Sequence, residues 1–361
     1  MNRQNKERDT EAGSFMQKFN IHTVQKGESL KSISLLYNID ADALKLFHNN
    51  HCNVKEMILI ELTGQKEIFL PRTAVTDKNR LVKFGHANSL IFQPENSFSR
   101  YGATVTIENN DHKNELKYET SVRWLKKENK LHFFEIDRTS NLYLNEEEVN
   151  EIADLLAYKT SKVLYPLQIS ADEQGKFNAV ENLSVFKERW PAVKEELYKE
   201  FEGETVDNYC EKIEKVINEP DAINLYLKDD YFIRTLFFGI YQSFGRDYQV
   251  EIESSFPVVG NPVEPKYKIK LEIDPLKGET GLANIEGEGQ LNDERSVYDF
   301  MNKAPFSMII EDHPVINHEG NFRIVSYLNG ETLLLKSMYL ECSIELEKKK
   351  KISVVIAEMT D

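Results

Sequence analysis

The sequence predicts an α+β protein, with a short N-terminal βααβ unit followed by a large antiparallel-sheet domain that has a helical middle section. Three observations point there. Helix caps crowd residues 29–40, apolar residues alternate with charged ones on both sides of the centre, and the centre itself carries apolar residues at three- and four-residue spacing.

Residues 1–20 are polar and of mixed charge and read as a flexible leader, with Phe15, Met16 and Phe19 positioned to tuck onto the unit that begins at Ile21. Ile21 to Val24 is a β-branched strand, and Lys26-Gly27 turns the chain. Ser29 is placed as an N-cap, and Leu30, Ile33 and Tyr37 come next at helical spacing. Asn38 suits the left-handed stop of that helix, and Asp40 caps a second carrying Leu44 and Phe47. Ile68 and Leu70 make a returning strand. Neither helix would persist alone at this length, so the two strands must pair and bury both apolar faces.

After residues 72–99, read as a linker or irregular lead-in, one domain runs over 100–361, with strands in 104–180, helices in 183–246 and strands in 248–356. Leu116, Tyr118, Thr120, Val122 and Trp124 form an inward row, continued by His132, Phe134 and Ile136. Asn145, followed by Glu146-Glu147-Glu148, reads as the cap and acidic first turn of a helix with Ile152, Leu155 and Leu156 inward. Asp172 to Gly175 is a hairpin turn. The clearest helix is expected over Pro220 to Phe244, from the spacing of Ile233, Leu236, Phe237, Ile240, Tyr241 and Phe244. Asn329-Gly330 signals a two-residue hairpin, and Lys348 to Lys351 a solvated hairpin tip.

Composition excludes several functions. Sixty acidic against 45 basic residues give a net charge of −15, which argues against nucleic acid or an anionic membrane as partner. The N-terminus lacks a secretory h-region and no run reaches bilayer length, so the expected location is cytoplasmic, or outside by a signal-independent route. Cys52, Cys210 and Cys342 are odd in number and far apart, as reduced thiols are.

No nucleophile elbow, phosphate-binding loop, dinucleotide fingerprint or His-Glu-x-x-His motif is present, so we expect neither an enzyme nor a cofactor. His48, His51 and Cys52 could meet on one helical face but lack a fourth metal ligand nearby. Glu311, Asp312, His313 and His318 form a second cluster, read as an ordinary polar loop, with no metal assigned to either.

The residues His22-Thr-Val-Gln-Lys-Gly-Glu-Ser-Leu-Lys-Ser-Ile33, Tyr37-Asn-Ile39, Leu44, Asn49-Asn50, Gly64-Gln65 and Leu70-Pro71 together resemble a LysM domain over 22–71, about a seventh of the chain. The resemblance implies binding of an N-acetylglucosamine polymer such as peptidoglycan between two loops, or retention of the fold for docking a protein. The residues it assigns are Lys26, Gly27, Glu28, Ser29 and Leu30 in the first loop, and Asn50, Met57 and Ile58 in the second. LysM-like modules also occur in contractile injection machines, so the alternative expectation is a cytoplasmic adaptor or chaperone of a type VI secretion-like or phage-tail-like assembly.

Overall fold

The computed structural model describes residues 19–72, 74, 81–110, 112–219, 223, 227–260, 263–278, 280–308 and 319–359. The leader residues before Phe19 and the Glu311 to His318 cluster lie outside the described residues.

Strand β1 (Asn20–Thr23), helices α1 (Leu30–Leu36) and α2 (Ala41–Asn49), and strand β2 (Glu67–Leu70) form the first unit, with β1 and β2 antiparallel. Ser29 caps α1 by accepting from the Ser32 amide, and the Ser32 hydroxyl accepts from the Ser29 amide in return. Asn38 follows α1 at φ 51, and Asp40 accepts from the amides of Asp42 and Ala43 to start α2. Leu30, Ile33, Leu44, Ile58, Ile68 and Leu70 bury one another in a small core that is separate from the main one. The tie between the two bodies is polar. Lys31 Nζ stands 3.8 Å from Glu272 Oε1.

The rest of the chain corrects the expected architecture. Instead of an α+β domain in which separate sheet segments cradle a helical middle, the described residues form one 13-stranded antiparallel sheet. Its strands are β3 (Phe98–Asn109), β4 (His112–Glu128), β5 (Leu131–Arg138), β6 (Tyr143–Leu144), β7 (Glu147–Glu148), β8 (Leu167–Ala171), β9 (Phe177–Val180), β10 (Gln249–Ser255), β11 (Lys266–Ile273), β12 (Leu282–Leu291), β13 (Asn321–Asn329), β14 (Leu335–Glu345) and β15 (Lys349–Glu358). The order is β10-β11-β12-β13-β14-β15-β3-β4-β5-β8-β9, with the β6–β7 hairpin attached to β4. The last strand therefore lies beside the first of this domain. Ile352 pairs with Ile107, Val354 with Val105 and Ile356 with Ala103.

Helices α3 (Ile152–Ser161), α4 (Leu183–Glu200), α5 (Glu204–Asn218), α6 (Tyr231–Leu236) and α7 (Val297–Met301) accompany the sheet. The expected helix over Pro220 to Phe244 is not continuous. Among its described residues, α6 stops at Leu236, Gly239 takes φ +93, and the chain runs on extended, with Lys176 bridged to Phe238 and Ser89 to Ser243. The physical reason is burial on every side. Phe232, Ile233, Phe237, Phe238, Ile240, Tyr241 and Phe244 are all buried, so the spacing that resembles one helical stripe is a segment surrounded by core. This plug reaches both halves of the sheet. Phe237 packs on Phe134 at 4.9 Å between ring centroids, and Phe238 on Phe322 at 5.3 Å.

Two turn assignments also change. Asn145 and Glu146, at φ 51 and 71, form the turn between β6 and β7, and α3 begins only at Ile152. Asparagine adopts that left-handed backbone readily, and a primed hairpin turn takes precedence over helix capping here. Between β13 and β14 the loop spans 330–334 and not two residues, with Leu333 at φ 58 and its carbonyl accepting from the Tyr241 hydroxyl at 2.9 Å. Asn329 still organises the loop, its side-chain oxygen accepting from the amides of Glu331 and Thr332 at 2.9 and 3.0 Å, and the plug ties its far end through Tyr241.

No helix among the described residues is long and apolar enough to cross a membrane. Phe244 is fully buried in the main core. Its replacement by alanine is expected to lower the unfolding free energy by about 3–5 kcal/mol in urea titrations. A loss below about 1 kcal/mol would show that the plug is not part of the cooperative core.

Candidate functional site

The two loops of the βααβ unit are brought together by the pairing of β1 with β2 and are joined directly by the chain itself. Leu30 N donates to Glu61 Oε2 at 3.4 Å, so the carboxylate of the second loop stands at the amide end of α1.

The first-loop residues divide by burial. Lys26 is exposed, and Gly27 makes the turn at φ +97, a backbone region that L side chains rarely adopt. Glu28 accepts from His22 Nε2 at 2.9 Å and from Gln25 N at 2.6 Å, while His22 Nδ1 meets the Tyr37 hydroxyl at 3.1 Å. A carboxylate only accepts, so Nε2 carries a proton. Burial opposes ionisation of Glu28, but these hydrogen bonds and the His22 charge outweigh it and hold the carboxyl below its ordinary value of 4.5. Ser29 and Leu30 are buried as cap and core, so their side chains are not offered to a ligand.

The second loop departs further from its expected role. Asn50 is exposed at the end of α2, and Met57 is partly exposed, but Ile58 is 1% exposed and belongs to the module core. Neighbouring Asn49 holds it there. Its amide donates to Ile58 O and its carbonyl accepts from Ile58 N, both at 2.8 Å. Ile58 turns inward while Leu59 and Ile60 turn outward, at 80% and 83% exposed, beside Val54 of the preceding 3-10 turn at 84%. Sequence reasoning missed these three and Glu61. The signal was the run Met57-Ile-Leu-Ile60, more apolar than an exposed loop ordinarily is.

His48 is fully buried, with Nε2 3.0 Å from Glu56 O and Nδ1 accepting from Phe69 N at 3.1 Å. Both ring nitrogens are thus engaged by the backbone. His51 bonds Phe47 O at 2.7 Å and stacks on the Phe47 ring, and the Cys52 thiol lies 3.9 Å from Asn49 O. These three residues fasten the end of α2 and do not converge.

No protein-family model matches the chain, and no curated protein does. Among solved structures, one described as "Lipid-protein interactions in lipovitellin" superposes with a TM-score of 0.40 at 10% identity, over 74% of this chain and 25% of that one. A complex of Pseudomonas aeruginosa MucA and MucB gives a TM-score of 0.13 at 6% identity, over 73% and 89%. The chain spans about a quarter of the lipovitellin chain that it matches.

Two outcomes test the site's construction. Asn49→Ala is expected to speed amide exchange at Ile58 and to lower the module's stability by about 1–3 kcal/mol, because two buried backbone groups lose their partners. Glu28 has a lowered native pKa, so its contribution is present above about pH 4.5 and lost as pH falls through the native value. Melting curves of Glu28→Gln are therefore expected to show a shallower acid limb than the parent chain.

Proposed function

We propose that this is a non-enzymatic docking adaptor whose βααβ module engages a protein partner through its second loop. The observation that carries the reading is the outward set Val54, Leu59 and Ile60 beside Glu61, which already occupies the amide end of α1. A glycan running between the loops would have to displace that carboxylate. A protein partner need only cover the aliphatic side chains. Glu56 and Glu61 border them together with Lys55, in a chain of net charge −15, so the fitting partner offers an apolar pocket with an excess of basic groups at its rim.

The LysM resemblance supplies the class of assembly, a contractile injection machine of type VI secretion-like or phage-tail-like kind, with the adaptor acting in the cytoplasm. Three unbridged thiols accord with such a reducing compartment. Binding of an N-acetylglucosamine polymer is the second reading. It is favoured by the pairing of β1 with β2, which holds two loops side by side as the LysM resemblance expects.

Leu59→Asp combined with Ile60→Asp separates them. Co-purification from native cells is expected to lose the spike, baseplate or effector subunit with this variant while its melting temperature stays within about 2 °C of the parent, since both side chains are already in water. Retention of the parent on purified peptidoglycan, abolished by deleting residues 1–71, with no such subunit recovered, would overturn the adaptor reading in favour of the glycan.

A further inference from the structure

Strands β9 and β10 stand at opposite ends of the strand order, yet they wall one cleft of about 700 Å3. Residues 177–180 form one side and Ser254 and Ser255 the other, with Phe237 and Phe238 of the plug between them. The sheet therefore curls until its two edges face each other. The cleft lies where the curl does not close.

The charge of this cleft is opposite to that of the chain. Among the described lining residues, Lys176, Lys228, Arg234 and Lys266 stand against the carboxylate of Glu264, although the protein as a whole carries −15. Arg234 and Glu264 form a bidentate pair, Nη1 to Oε1 at 2.6 Å and Nη2 to Oε2 at 2.8 Å, with side chains 13% and 3% exposed. Arg234 also donates to Lys228 O and Ser255 O, and the Ser255 hydroxyl donates to Glu264. A buried pair of this kind seldom stabilises a fold more than apolar side chains of equal volume would. Here it fixes positions. It ties the β10 edge to α6 and keeps Lys228 Nζ 3.7 Å from Glu264 on the cleft wall. Lys266 approaches Glu253 at 3.8 Å on the exposed side.

We propose that this cleft binds a small amphipathic anion, an organic carboxylate, sulfonate or phosphate whose charged end meets Lys176, Lys228 and Lys266. Its apolar part lies on Phe177, Phe237 and Phe238. The volume falls in the range of small-molecule sites, which combine an apolar lining with a few placed charges. The aromatic floor favours an organic anion over an inorganic one, because inorganic phosphate has no apolar surface to bury there.

Fluorescence titration of the full chain with 8-anilinonaphthalene-1-sulfonate tests this. We expect saturable binding that weakens about tenfold or more in K176E/K266E, a loss of roughly 1.4 kcal/mol, and less in K176Q/K266Q. It should be unchanged in K113E/K212E, which alters net charge equally on exposed lysines elsewhere, and in L59D/I60D, which removes the apolar loop. Decanoate should displace the probe and inorganic phosphate at equal concentration should not. Unchanged affinity in K176E/K266E with a parental circular dichroism spectrum, equal loss in K113E/K212E, absence of saturable binding, or equal displacement by phosphate would each overturn the proposal. Should K176E/K266E fail to fold, K176Q/K266Q carries the same decision.

Discussion

A single aromatic segment, Phe232 to Phe244, holds the ends of a long sheet against one another. Its backbone bonds the β8–β9 turn through Tyr241 N to Gln174 O, and it bonds the start of β10 through Gln249 N to Phe244 O. Its rings meet Tyr101 and Tyr118 in one half of the sheet and Phe322 in the other. An antiparallel sheet this long twists steadily and leaves one face to be covered. With the plug in the concavity, inward rows such as Tyr267, Ile269, Leu271 and Ile273 all find apolar partners. Without it, the same rows would line a hollow open to water.

The edges remain as a liability, since an unpaired strand invites pairing with another chain. They are managed differently. On β10 the exposed Glu251 and Glu253 make diagonal ion pairs with Lys268 and Lys266 of β11, so the edge carries solvated charge. On β9 the plug itself covers the start of the strand, with Phe177 N donating to Phe237 O. Between these two solutions lies the basic cleft, and the buried Arg234 and Glu264 pair sits where both edges and the plug converge.

Much of the local structure is legible in the sequence. Ser29, Asn38 and Asp40 state where the first two helices begin and end, because caps act through residues three or four apart. Alternation likewise marks β4, β5 and β11. The illegible part is non-local. Period-two alternation identifies an inward face but not a neighbour, so the pairing of β15 with β3, which merges two expected sheet segments into one, leaves no trace in either strand. The plug escapes sequence reading for a related reason: apolar residues at three- and four-residue spacing fit a helix packed on one side and a chain buried on all sides equally well. At the site, the turn and cap residues locate the two loops along the chain, but the inward turn of Ile58 depends on Asn49, a contact that spacing cannot announce.

That inward turn fixes what the second loop exposes. Ile58 joins the module's small core, while Val54, Leu59 and Ile60 stay at the surface. Surface aliphatic residues scattered singly carry little meaning, but these share one short loop whose backbone is clamped by Asn49 and whose far end is tied to α1 through Glu61. A rigid loop loses little conformational entropy when a partner covers it. On its α1 side Lys31 stands 3.8 Å from Glu272 of the sheet, and the module's apolar cluster shares no residue with the main core. The loop is thereby held on a unit with its own apolar cluster, while the sheet supplies a platform whose cleft is chemically unrelated to it.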